Sequence, residues 1–326
     1  MGFFVYSQLF KSLPYPTGSY AGKTIIVTGS NVGLGKEAAR HYARLGASKL
    51  IIAVRSLDKG RAAKQDIEAT TGCGKDVIEV WQLDMSSYAN VQKFAERVKS
   101  ELERVDIFIA NAGVVHSKFQ EMEGEEGTIT VNVVSTFLLT VLVLPKLKET
   151  ASKFSTRPTF TITASEVHAW TNFDERTAPD GEIYNTISEN AKASADAVSK
   201  LYPLSKLLDV LGVRTIAEMH PASEYPVTVN CVNPGLCHSE LGRDAGGWTL
   251  WLLKLLLART TEYGSRTLVH AGSSGADTHG KYMSDCGIEE PSPFVRSKEG
   301  KEAQDRAWNE LVKKLEAIKP GVTGKI

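Results

Sequence analysis

Residues 23–40 read KTIIVTGSNVGLGKEAAR, and three signals follow one another in them. KTIIVT has the length and β-branched character of a short buried strand. Gly29, Gly33 and Gly35 come next, spaced G-x-x-x-G-x-G. A helical pattern then runs from Leu34 to Leu45, and Gly46 closes it as a left-handed cap would. Glycine, lacking a Cβ, permits the tight turn and lets backbone N–H groups approach a pyrophosphate at a helix N-terminus. Such a turn is weak evidence alone and good evidence between the first strand and first helix of an alternating α/β chain. Thr28, Gly29, Asn31, Gly33, Leu34 and Gly35 are therefore candidate cofactor contacts.

The alternation is present. LIIAV (50–54), VIEVWQL (77–83), VDIFIA (105–110), TFTITA (159–164) and VTVNCV (227–232) repeat the strand signal, with helical patterns such as Ser87–Leu102 and Thr128–Leu147 between them. Strands apolar on both faces, each followed by a helix, predict a doubly wound, mostly parallel α/β sheet of the Rossmann type with helices on both faces. We read residues 1–22 as an N-terminal extension and 23–296 as a single dinucleotide-binding and catalytic domain. That domain carries a polar insertion at about 166–200 and an apolar segment within about 237–260. From 284 onward the pattern predicts loop, then a charged helix from about Ser297 to Ala317, within a terminal helix and tail at 297–326.

Bulk composition narrows the function. Of 326 residues, 42% are apolar and 23% charged, ordinary for a soluble globular protein. Lysine plus arginine balances aspartate plus glutamate, 38 against 38, so no field draws nucleic acid or anionic membrane. Cys73, Cys231, Cys237 and Cys286 form no C-x-x-C pair and no zinc-like spacing, so reduced thiols, no metal and a cytoplasmic place are expected. VVSTFLLTVLVL (133–144) resembles a membrane segment but is too short to span, since that needs ~18 apolar residues. A helix buried against the sheet or a partner subunit is the better reading. The second strand ends Ala-Val-Arg-Ser. An NAD site usually places a carboxylate there, whereas Arg55 suits a 2′-phosphate and points to NADP(H). The bland alternative is a solvated arginine, and Asp58 comes too late to be the obvious ribose ligand.

Tyr202 alone among the ten tyrosines has a lysine, Lys206, at the fourth position after it. With TGSNVGLG, LDMS at 83–86, NAG at 111–113, Asn132, Ser165, Y-x-x-x-K at 202–206 and NPG at 233–235, the chain resembles the short-chain dehydrogenases/reductases from about Lys23 to its end. GKYMSDCGIEEPSP (280–293) is similar to the retinol-dehydrogenase-like branch, especially fungal members from natural-product pathways. The resemblance implies roles. Asp84, with Met85 beside it, would meet the adenine, and Asn111, Ala112 and Gly113 would form the floor under the cofactor. Pro234, Gly235 and the backbone beyond, at Cys237 and Ser239, would hold the nicotinamide carboxamide; Ser239 replaces the usual threonine. Asp84 also suits a helix N-terminus, and Pro-Gly a plain turn.

In the family the tyrosine is the general acid/base and the lysine grips the nicotinamide ribose. A free phenol titrates near ~10, and the Lys206 ammonium with the nicotinamide charge is expected to pull Tyr202 toward the working pH. Ser165 would position the reacting oxygen, and Asn132 would hold a water linking Lys206 to solvent. Two departures stand out: the Ser165-to-Tyr202 stretch is longer than usual, and Pro203 predicts a helix that begins or restarts near 201–203. His168 and His238 either border the substrate or are surface histidines, and Cys237 is a small packing residue. WTLWLLKLLL (248–257) has three readings: a lid over an apolar substrate, a homodimer contact, or peripheral attachment to a membrane surface. The leading expectation is an NADP(H)-dependent oxidoreductase acting on a lipophilic ketone, aldehyde or alcohol. The rivals are a catalytically silent NADP(H)-binding regulator and an extended-branch epimerase or dehydratase, whose T-G-x-x-G-x-x-G loop residues 28–35 do not match.

Overall fold

The structure, a computed structural model, describes residues 2–238, 241 and 257–326. Helix α1 (Gly2–Phe10) precedes β1 (Thr24–Thr28), α2 (Gly33–Arg44), β2 (Lys49–Val54), α3 (Leu57–Thr71), β3 (Ile78–Gln82), α4 (Tyr88–Glu101) and β4 (Ile107–Ala110). A hairpin, β5 (Glu121–Met122) and β6 (Glu125–Glu126), leads into the long helix α5 (Gly127–Phe154). The chain continues through β7 (Thr159–Thr163), α6 (Ile183–Ala193), α7 (Ala195–Met219), β8 (Thr228–Asn233), α8 (Thr261–Gly272), β9 (Tyr282–Ser284), β10 (Gly287–Glu289), α9 (Pro293–Arg296) and α10 (Lys298–Ile318).

Eight strands form one sheet in the order β3-β2-β1-β4-β7-β8-β9-β10. All neighbours are parallel except the β9–β10 pair at the edge. Every β1 residue is buried because both faces are covered. Ile26 belongs to a core with Phe94, Phe137 and Leu208 from α4, α5 and α7. Ile25 and Val27 belong to a second core with Ala38, Tyr42 and Leu268 from α2 and α8. Burying each such side chain stabilises by about 1.5–3 kcal/mol, which is why the strands are written as unbroken apolar runs. Successive connections run outward in opposite directions from β1 and β4, so their carboxyl ends diverge into the crevice where such sheets take ligands.

The expected strands and helices appear within a residue or two, and Gly46 adopts φ +80° as a left-handed cap. α5 is long and apolar enough to cross a membrane, yet 94% of its most apolar window is buried inside the fold. It also runs beyond the expected Leu147, through Pro145, to Phe154.

Two expectations need correction. The segment from 284 is not loop: a tight turn at Asp285 and Cys286, both at positive φ, pairs β10 with β9. Strands of three residues are too short for periodicity to reveal. The 166–200 stretch is also more than a polar excursion at the sheet's edge. It forms two 3₁₀ turns, Glu166–Trp170 and Asp174–Thr177, followed by α6, and buries Phe173, Ile183, Tyr184 and Ile187 in the first core. Glu310 of α10 fastens it by accepting from Gly181 N at 3.0 Å and Ile183 N at 2.8 Å.

Candidate active site

The glycine turn is built around two left-handed residues, Gly29 at φ +64° and Gly33 at φ +62°. A Cβ on Gly35 would sit 2.5 Å from Asn111 Nδ2 and 2.8 Å from Gly29 O, whereas one on Gly33 would meet nothing within 4 Å. Helix α2 thus packs tightly on its strand while the space before its first turn stays open. Ser56, Ser87, Ser194, Thr260 and Ser297 cap their helices through side chains, but Val32, the N-cap of α2, gives none. Uncapped N–H groups at a positive dipole end suit a phosphate. Arg55 is exposed at the end of β2 and makes no ion pair among the described residues. The uncapped turn fits the phosphates of a dinucleotide.

The NAG segment is tied to the same turn. Thr28 Oγ1 accepts from Asn111 N at 3.0 Å and Ala112 N at 2.9 Å, and Asn111 Nδ2 donates to Thr28 O at 3.0 Å. A Cβ on Gly113 would come 3.2 Å from Asn132 Oδ1, a tight contact. Asp84 is half-buried; its Oδ1 accepts from Ser86 N at 3.0 Å and Ser86 Oγ at 2.7 Å. Met85 is buried beside it. Asn31 and Leu34 are half-buried in the turn.

Tyr202 and Lys206 lie on one face of α7, with Lys206 Nζ 5.8 Å from the Tyr202 ring centre. Their helix does not begin near 201–203. It starts at Ala195, capped by Ser194, and passes through Pro203 unbroken, so the four-residue pairing holds. The hydrogen bond that Pro203 forgoes is the one to the Ser199 carbonyl, and Ser199 is exposed, so water can serve that oxygen. Ser165 caps the 3₁₀ turn after β7, and its hydroxyl works to lower the Tyr202 phenol. Lys206 Nζ donates to Thr163 O at 2.8 Å and to Asp209 Oδ2 at 3.0 Å.

The Tyr202 phenol sits above its ordinary value rather than below it. Burial is the largest cause; Lys206 and Ser165 work against it, and Asp209 adds to it. Lys206 alone would have pulled the group down, as expected from the sequence, but burial outweighs it. Burial also works against the Lys206 charge, yet Asp209 and Tyr202 raise it overall, and the Asp209 carboxyl is itself pushed up to about 6 by burial.

Asn132 lies in a π-helical turn, Thr130–Val134, at the start of α5. Its side chain is fully engaged: Oδ1 accepts from Val114 N at 2.9 Å, and Nδ2 donates to Val114 O at 3.0 Å and Ser205 Oγ at 3.1 Å. Any water it held would have to meet its main chain, and π-turns leave main-chain groups free of the usual ladder. Pro234 and Gly235, the latter at φ +77°, follow β8. Ser239 and nearly all of WTLWLLKLLL lie outside the described residues.

His168 is not a surface residue. It is buried, its Nδ1 lies 2.8 Å from Ser165 O, and its Nε2 accepts from Ser292 N at 3.0 Å. His238 is exposed. Cys237 packs against Gly264, and burial pushes its thiol up to about 12, which suits a filler and not a nucleophile.

Two contributors escaped sequence reasoning. Asp209 is one; a lone aspartate in the apolar run LLDVLGV was the available signal. The other is α1. Gln8 Oε1 accepts from Leu236 N at 3.2 Å, and its Nε2 donates to Leu236 O at 2.9 Å and Leu257 O at 3.1 Å. Arg259 Nη2 donates to Ser7 O at 2.6 Å and pairs with Asp285 at 2.8 Å. The extension therefore braces the Pro-Gly turn.

Sheet order, crevice and uncapped glycine turn define a Rossmann-type nucleotide-binding fold. A family model described as short chain dehydrogenase matches residues 23–249. Over 321 residues the chain is 69% identical to the short chain dehydrogenase/reductase dmxR8 of Cryptosporiopsis sp. (strain 8999), covering 98% of each. The chain belongs to the short-chain dehydrogenase/reductase family of oxidoreductases, whose members bind NAD(P)(H). Solved structures share the fold at lower identity. One is the 3-ketoacyl-(acyl-carrier-protein) reductase of Brucella melitensis complexed with NADH, 20% identical with a TM-score of 0.59, covering 82% of this chain and 97% of that one. Another is a short chain dehydrogenase of Shigella flexneri 2a complexed with NADP, 22% identical with a TM-score of 0.55, covering 83% and 99%.

Proposed function

We propose that this protein is a cytoplasmic NADP(H)-dependent reductase or dehydrogenase that moves hydride between the cofactor and a lipophilic ketone, aldehyde or corresponding alcohol. The observation that carries the reading is Tyr202 with Lys206 Nζ 5.8 Å from its ring on the same helix face, at the carboxyl end of a sheet whose first turn is uncapped. Ser165 stands at the strand end beside them. Arg55 favours the 2′-phosphate. Exposed Trp170, on the 3₁₀ turn that Ser165 begins, supports an apolar substrate. The similarity to fungal natural-product members supports the same substrate class.

When bound, the cofactor supplies hydride at its nicotinamide carbon C4. The uncapped α2 N-terminus binds the pyrophosphate, Arg55 the 2′-phosphate, Asp84 the adenine edge, and the Pro234–Gly235 turn the carboxamide. Ser165 holds the substrate oxygen beside Tyr202. In reduction the Tyr202 O–H bond breaks and its proton goes to that oxygen; in oxidation the phenolate takes the proton back. Lys206 orients the ribose and steadies the phenolate, and a water on the Asn132 main chain returns the proton from solvent.

The test is Tyr202→Phe assayed with NADPH against a panel of lipophilic ketones and aldehydes, and with NADP+ against alcohols. NADPH binding should persist while kcat/KM falls by about 10²–10⁴-fold, the usual size of a general acid/base contribution. Undiminished turnover rejects the reading. Wild-type protein that binds NADPH but never consumes it favours the silent regulator.

A further inference from the structure

The face of α7 that presents Tyr202 and Lys206 carries a third ionisable group, Asp209. Positions i, i+4 and i+7 of a helix lie above one another. Asp209 is wholly buried and Lys206 nearly so, with the carboxylate 3.0 Å from the ammonium. Of the three ammonium N–H groups, one goes to Asp209 Oδ2 and one to Thr163 O, leaving one for a ligand. Asp209 Oδ1 is buried and accepts no hydrogen bond among the described residues. An apolar pair of similar volume is often at least as stable as a buried ion pair, so stability is a poor reason to keep this carboxylate.

We propose that Asp209 is a positioning residue for Lys206: it anchors the ammonium from the buried side and biases Tyr202 toward carrying its proton, the form that donates to a carbonyl in reduction. This rests on the oxidoreductase reading above. The surroundings leave Asp209 unopposed except by Lys206. From α6 it faces Tyr184, and from β8 it faces Cys231; burial raises both groups, so both stay neutral. On its own helix lie Tyr202 and, farther along, Arg214, whose charge reaches Cys231 and which pairs with Glu218 at 3.9 Å. Glu125 and Glu310 face Tyr184 and are paired with Lys314 and Arg306. The Asp209 charge opposes phenolate formation at Tyr202, and burial works in the same direction.

The experiment compares wild type with Asp209→Asn, and with the smaller neutral Asp209→Ser should the amide variant not fold. A unit charge roughly 10 Å away at an effective dielectric of ~20 moves a titration by about one pH unit. The first measurement needs no turnover: a titration of cofactor-free protein labelled with ¹³C at the tyrosine ring carbon bearing oxygen. The Tyr202 signal is identified by its loss in Tyr202→Phe. Neutralising Asp209 should move that titration down by about 0.5–1 pH unit. The second is the pH profile of kcat/KM with NADPH and a carbonyl substrate, whose alkaline fall should move down equally. A Tyr202 titration that stays put overturns the proposal even if activity drops. If wild type consumes no NADPH, the functional reading fails, and the resonance still decides the role of Asp209.

Discussion

Replacing Arg55 tests the cofactor assignment most directly. The guanidinium is exposed and unpaired among the described residues, so its worth to a ligand is set near the water limit. A phosphate monoester carries about −1.5 to −2 charges at neutral pH. At ~4 Å in water each unit charge is worth about 1 kcal/mol, so the pair gains about 1.5–2 kcal/mol. Ionic strength trims this, while charge-assisted hydrogen bonds restore some of it. Taking about 2 kcal/mol, Arg55→Ala should lower the NADPH-over-NADH ratio of kcat/KM roughly 30-fold. Arg55→Asp replaces attraction with repulsion, about 3–4 kcal/mol in all, or ~10²–10³-fold in that ratio. The assay is steady-state kinetics with both cofactors at two salt concentrations, since the wild-type preference should shrink as salt rises. A wild type that prefers NADH, or an Arg55→Asp ratio within threefold of wild type, refutes the reasoning.

A Cβ on Gly212 would overlap the buried Phe137 ring. Gly212→Ala gains about 1 kcal/mol of helix propensity but overpacks the α5–α7 contact, typically by about 1–3 kcal/mol, so a net loss of urea stability is expected. Phe137→Leu in the same chain should recover part of it, and a Gly212→Ala protein more stable than wild type would contradict the packing. Five of the seven histidines, His41, His168, His220, His270 and His279, are held below their ordinary value, chiefly by burial. Below about pH 6.5 the unfolded chain therefore binds protons before the folded one. Stability present above that pH should drain away as pH falls, with a lower urea midpoint at pH 5 than at pH 7.5; equal midpoints would contradict it.

Much of the fold was legible because β1, β2, β4, β7 and β8 are buried on both faces and written largely in Ile, Val, Leu, Phe and Thr. The turn residues were legible because glycine at positive φ has few substitutes. What stayed hidden has physical reasons. Pro203 and Pro145 signal breaks, but each lies in a helix held by tertiary packing, which overrides one lost hydrogen bond. The π-turn at Asn132 has no local signature, since it consists of buried Val and Thr side chains that fit an α-helix equally well. The Tyr202 titration depends on how dry its surroundings are and on Asp209, and neither follows from the spacing of tyrosine and lysine.

The contacts of α1 also bear on how the chain matures. Ser7 bonds Asp285 across 278 positions, and Gln8 bonds Leu257 across 249. A ribosome adding ~5–20 residues per second takes tens of seconds to deliver those partners. Throughout that interval the first helix has nothing to hold, and the turn it supports has no brace. Competence to take up a coenzyme therefore arrives late in synthesis, after the parallel strands that form its floor.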